Sequence, residues 1–101
     1  MSGDLDETIK KLYGHKGVKG IIITNNQGIT VRSHFPDESA EVIQNYAAQF
    51  TTLASKAKEV IRGIDPTNQL TFIRVRSKKH EIMIAPGEDF IMITIQQPQG
   101  K

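Results

Sequence analysis

The 101-residue chain has no cysteine and no tryptophan. Without thiols there is no disulfide staple and no thiolate metal ligand, and a reducing compartment costs the fold nothing; a cytoplasmic protein is expected. Long apolar runs are missing as well. No stretch approaches the roughly 18 to 20 residues that span a bilayer, and a start carrying Asp4, Asp6 and Glu7 is the wrong kind of segment for a signal peptide. Ser2 stands where a myristoylated chain has glycine, and the final Gly100-Lys101 offers no cysteine to a prenyl group. Membrane insertion is therefore not expected. A net charge of +2 is too small to dictate a nucleic-acid partner. Proline and glycine do not gather into a linker, so one domain over residues 1–101 is expected, large enough to remove about 60 to 70% of its unfolded surface from water.

What is present is periodicity. Asp4 and Glu7 have capping-box spacing, and Leu5, Ile9 and Leu12 follow at helical intervals, predicting a short helix to about Tyr13 that Gly14 closes in the left-handed conformation. The β-branched run Val18 to Thr24 and the run Ile29 to Ser33 are joined by Asn25-Asn26-Gln27-Gly28, which predicts an antiparallel hairpin. Beyond Pro36 and Asp37, helical spacing holds unbroken from Val42 to Ile61. This predicts a helix of about seven turns, with Glu38 and Glu41 at its positive end, Lys58 and Arg62 at its negative end, and Gly63 as its stop. After Asp65-Pro66-Thr67-Asn68 come three strand-like runs: Leu70 to Arg76, His80 to Ala85 and Phe90 to Ile95. Their short loops imply antiparallel neighbours. The run 90–95 is apolar almost throughout, as is 20–23, which suggests strands covered on both faces and helices on both sides of one sheet.

The long helix has more length and more apolar width than one sheet needs. About 24 residues span about 36 Å, whereas five strands make a sheet about 20 to 24 Å wide. A second copy of the chain can cover the remainder, but the same stripe can equally be core. An edge strand at 70–76 invites two-fold pairing through Thr71, Ile73 and Val75, while Arg74, Arg76, Lys78 and Lys79 are the charges that discourage it. On residue pattern alone, self-association stays open.

Chemistry-bearing constellations are scarce. His15, His34 and His80 stand alone, without carboxylates at metal-ligand or catalytic spacing, and solvated or structural histidine is the simpler reading. Gly14, Gly17 and Gly20 form a G-x-x-G-x-x-G series that leads from helix into strand, the reverse of a phosphate-binding context, so turn and close-packing roles fit better. Gly14-His15-Lys16-Gly17 matches a KH-type GXXG loop, yet that loop lies between two helices and here a strand follows. Lys10, Lys11, Lys16 and Lys19 form one basic group and Arg74, Arg76, Lys78 and Lys79 another. Either can meet phosphates or an acidic peptide, or simply be solvated. Only Tyr13 and Phe72 lie near them, too few for a base-stacking platform. No enzyme, metal, cofactor or nucleic-acid partner is expected.

The stretches GVKGIIITNNQGITVRS (17–33) and IDPTNQLTFIRVRSKKHEIMIAP (64–86) resemble the roadblock-type light chains of dynein. The most telling positions are Ile64-Asp65-Pro66, Leu70-Thr71-Phe72, Arg74-x-Arg76-Ser77-Lys78-Lys79, Glu81-Ile82-Met83 and Ala85-Pro86. The resemblance implies an α+β fold: a five-stranded antiparallel sheet of order 2-1-5-4-3, with the short N-terminal helix on one face and the long helix on the other. It implies a homodimer joined through the long helix and the third strand, with Tyr46, Phe50, Leu53, Ala54, Ala57, Leu70, Phe72, Arg74 and Arg76 as interface residues. A third helix found in some superfamily members is not expected. The implied role is non-catalytic: an adaptor light chain binding the dynein intermediate chain, on contact residues unknown, within a motor complex that moves along microtubules, cytoplasmic or axonemal. Elsewhere in the superfamily the same fold implies a scaffold or regulator of a small GTPase.

Overall fold

The computed structural model describes residues 2–98, with side chains from Asp4 onward. Its elements run α1 (Ser2–Tyr13), β1 (Val18–Asn25), β2 (Thr30–His34), α2 (Ala40–Ile64), β3 (Ile73–Arg76), β4 (Glu81–Pro86) and β5 (Phe90–Gln96). All five strands form one antiparallel sheet in the order β2-β1-β5-β4-β3. The predicted architecture and strand order are those observed.

Isoleucine alternation builds two cores. Ile22, Ile82, Ile84, Ile91, Ile93 and Ile95 project to one side, where they meet Phe35 and the Ala47 and Ala54 face of α2. Ile21 and Ile23 project to the other and meet Ile9 of α1. Each fully buried isoleucine contributes about 1.5–3 kcal/mol. Gly20 matters here for its missing side chain: a Cβ would lie 2.5 Å from Phe35 Cγ, so only glycine lets that ring lie flat on β1. The ring then packs edge-on to Tyr46, centroids 5.6 Å apart.

The long helix is tied to the first hairpin by polar contacts. Gln44 Oε1 accepts from Thr30 N (3.1 Å) and Thr30 Oγ1 (2.9 Å), while its Nε2 donates to Gly28 O (2.7 Å). Asn25 Oδ1 closes the turn by accepting from Gln27 N and Ile29 N, and Gly28 sits at φ +83°. Below, the buried hydroxyls of Thr24 and Thr51 meet at 3.1 Å, an apolar environment's requirement for polar groups.

Several local expectations are corrected. Asp4 lies inside α1 and its carbonyl accepts from Thr8 Oγ1, so it does not cap that helix. Gly14 has no positive φ; the left-handed turn residue is Gly17, at φ 85°. α2 is capped by Ser39, whose hydroxyl accepts from Val42 N at 3.2 Å, and it runs through Gly63 to Asp65, whose N–H donates to Ile61 O. β3 begins at Ile73, not Leu70. Its register, Ile73 opposite Ile84, would place Thr71 opposite Pro86, which has no N–H to offer, and β4 ends there. Finally, β5 is fully covered on one face only: Ile91, Ile93 and Ile95 are buried, whereas on the other face Met92, Thr94 and Gln96 are half-buried and Phe90 is exposed. α1 is 12 residues long, about 18 Å, and packs mainly over β1 and β2, with Met92 of β5 at the margin of its core.

Candidate interaction surfaces

The first surface is the flank of α2 that overlooks β3. Leu53, Val60 and Ile64 are 40%, 49% and 79% exposed, and with half-buried Ala57 they recur at intervals of three and four, one continuous line along the helix. Tyr46 and Phe50 lie on the same flank but lean inward onto the core, rings 5.9 Å apart, and line a hollow with Val75, His80 and Ile82. Burial, with the charge of Glu38 second, pushes the Tyr46 hydroxyl pKa up. Beside this flank lies β3, an edge strand of four residues with half-exposed Phe72 immediately before it. Leu70 lies in a groove with Lys58, Arg62 and Gly87.

The residues inferred for self-association thus divide. Leu53 and Ala57 lie on the open line of α2, and Phe72 is exposed beside the β3 edge. Ala54 does not: at 0% exposure it faces the sheet and belongs to the chain's own core. Arg74 and Arg76 stand opposite Met83 and Glu81, on the sheet face turned away from α2. Arg74 Nε donates to Glu81 Oε2, and Glu81 is itself 3% exposed. Val60 and Ile64, which residue pattern did not single out for the interface, continue the open line; their apolar spacing beyond the width of the sheet was the available signal.

The second surface was not anticipated from sequence. On the α1 side, the sheet is only partly covered across β5 and β4: Phe90 is exposed and Met92 is half-buried against the α1-side core, with exposed Ala85 opposite Met92 and half-buried Met83 opposite Thr94. These are apolar side chains in a contiguous block, bordered by Arg74 and Gln96. Its signal in the sequence was the shortness of α1 against a five-stranded sheet.

Among the described residues no group of three or more His, Asp or Glu could hold a metal ion, and no helix is long and apolar enough to cross a membrane. His34 is engaged edge-on by Tyr13, centroids 4.3 Å apart.

Residues 4–97 match the family described as Roadblock/LC7 domain. Among solved structures, the chain is similar to a Roadblock/LC7 domain from Streptomyces avermitilis: TM-score 0.83, 10% identity, over 95% of this chain and 80% of that one. MglB of Myxococcus xanthus gives a TM-score of 0.79 at 10% identity, over 97% of this chain and 79% of that one. MglC of the same organism gives 0.62 at 20% identity, over 96% and 82%. At such identities the likeness is one of fold.

Proposed function

The chain belongs to the Roadblock/LC7 domain family, and from that premise we propose that it is a non-catalytic adaptor, acting as one domain over residues 1–101. It works as a homodimer, joined through the open flank of α2 and the β3 edge, and offers the partly open β4–β5 part of its α1-side sheet face to a polypeptide partner. The observation that carries this reading is the line Leu53, Ala57, Val60 and Ile64 running beside an unpaired edge strand. A two-fold copy would cover both at once, because the same patch serves both subunits.

Two partners are compatible with this architecture. The run 64–86 supports the dynein intermediate chain, with the dimer acting in the cytoplasm on a microtubule motor. Two light chains then hold two intermediate chains, and tethering raises the effective concentration of each later contact to roughly the millimolar range. The likeness in fold to MglB and MglC fits a scaffold or regulator of a small GTPase at least as well.

Light scattering during size-exclusion chromatography tests the dimer and the partner together. A species of about 23 kDa, twice the 11.3 kDa chain, that co-elutes with a recombinant intermediate-chain fragment supports the motor adaptor. A dimer that ignores the fragment but alters GTP hydrolysis by a candidate GTPase supports the second reading. A stable monomer overturns both. Leu53→Asp combined with Val60→Asp should give monomers with unchanged far-UV circular dichroism, since both positions are exposed in a single copy; an intact dimer would refute the α2 flank. Phe50→Asp is the poorer variant, because Phe50 also supports the core.

A further inference from the structure

We propose that the end of the sheet where β1 starts and the β3–β4 turn closes binds an acidic stretch of the partner polypeptide. Strand register assembles this end from distant parts of the sequence. Arg76 stands opposite Glu81, Glu81 opposite Gln96, and Gln96 opposite Val18, one row across β3, β4, β5 and β1. At one side of the row lie the 14–17 turn with Lys16, then Lys19 of β1, held there by Gln97 N donating to Gly17 O at 2.9 Å. α1 ends at the same place, with Lys10 and Lys11 in its last turn. At the other side the β3–β4 turn carries Lys78 and Lys79.

These six lysines are unneutralised. Lys19 is half-buried and the other five are exposed, and among the described residues none of the six makes an ion pair. Elsewhere Lys56 is paired with Glu59 and Arg32 with Asp6, while Lys58 and Arg62 near the end of α2 make no ion pair among the described residues either, so what distinguishes this end is the number of lysines gathered there. Glu81, the carboxylate within the row, is buried and engaged by Arg74. Glu38 lies on the α2 side, near Tyr46. β1 and β3 are three strand spacings apart, about 14 Å, longer than the screening length of about 8 Å at physiological salt. One ligand therefore engages both lysine groups only by spanning them, and four or five extended residues at about 3.3 Å each reach across.

The chemistry selects a polypeptide. The two turns, Gly14-His15-Lys16-Gly17 and Ser77-Lys78-Lys79, carry a single ring, His15, and no Phe, Tyr or Trp, too little for a base-stacking platform, and no apolar side chain to insert into a bilayer. The basic end also continues along β4 and β5 into the partly open apolar block of Met83, Ala85, Met92 and Phe90. A segment whose apolar part covers that block and whose Asp and Glu residues follow it satisfies both regions. This inference rests on the proposed docking role of that sheet face.

The test uses the full chain and a fluorescent peptide of about a dozen glutamates, read by anisotropy at low and physiological salt. Binding should weaken with salt. It should fall by about tenfold or more when Lys16→Glu, Lys19→Glu, Lys78→Glu and Lys79→Glu are combined, and hold when Lys56→Glu and Lys58→Glu are combined at the far end of α2. No binding at low salt, equal loss in both variants, or tighter binding to phosphatidylserine vesicles or an oligonucleotide than to the peptide overturns the proposal. Met83→Asp separates the two ideas: it should abolish capture of the natural partner while leaving the glutamate peptide bound. If it leaves partner capture intact, the docking face is wrong and the acidic site stands or falls on the lysine variants.

Discussion

The two faces of the sheet are built from the same strands yet end in different states. On the α2 side, every inward isoleucine of β4 and β5 is buried, Ile84, Ile93 and Ile95 completely. On the α1 side, the residues between them, Met83, Met92 and Thr94, stay partly open. Residue type does not make this difference, since methionine buries as readily as isoleucine. Helix length does: 25 residues cross the sheet on one side, while the 12 of the other helix cover mainly β1 and β2. Both faces hold a core, but the α1-side core closes over half of the sheet and leaves β4 and β5 partly open.

The largest effect should come from testing that division directly. Ile84→Ala removes a fully buried side chain from the α2 core and should cost about 2–5 kcal/mol, whereas Met83→Ala, its neighbour on the open face, should cost under about 1 kcal/mol. Urea denaturation of the two variants measures both, and equal losses would break the comparison. A smaller effect is expected at Gly20, where Gly20→Ala drives a methyl group into Phe35 on the α2 side. Overpacking of this kind costs about 1–3 kcal/mol, and thermal unfolding should show it, with Phe35→Leu in the same chain recovering part of the loss by freeing the space.

The smallest effect should lie at the turn after α2, which belongs to neither face. Asp65 accepts from Thr67 N (3.0 Å) and Thr67 Oγ1 (2.8 Å), and these hydrogen bonds hold its carboxyl below the usual aspartate range. A carboxyl lowered in the folded state stabilises above its unfolded value of about 3.9, and that contribution fades as pH falls through the folded value. Asp65→Asn should therefore flatten the acid limb by lowering stability slightly at neutral pH while leaving it unchanged in strong acid. A marked loss at pH 7 would show that the turn does more than the structure assigns it.

Much of the fold was legible because its signals are local. Alternating isoleucines, helical spacing from Val42 to Ile61 and the Asn25–Gly28 turn each act over a few residues, so the elements and their order follow from pattern. The misread ends have separate causes. α2 runs past Gly63 because Asp65 N still donates to Ile61 O, and β3 loses its first three predicted residues because Pro86 on the neighbouring strand has no donor. Ala54 was assigned outward because a stripe shows which residues share a flank but not which part of that flank meets the sheet.

The sequence by itself determined the elements, their succession, the two isoleucine cores and the surplus apolar width of α2, since each depends on spacing along one stretch of chain. Only the tertiary structure decided which apolar residues stay uncovered and which lysines share one end of the sheet. Lys16 and Lys79 are 63 positions apart in sequence and become neighbours across a sheet only through the register of β1, β5, β4 and β3. Burial and charge density are properties of surfaces, and a surface exists only once distant strands have paired.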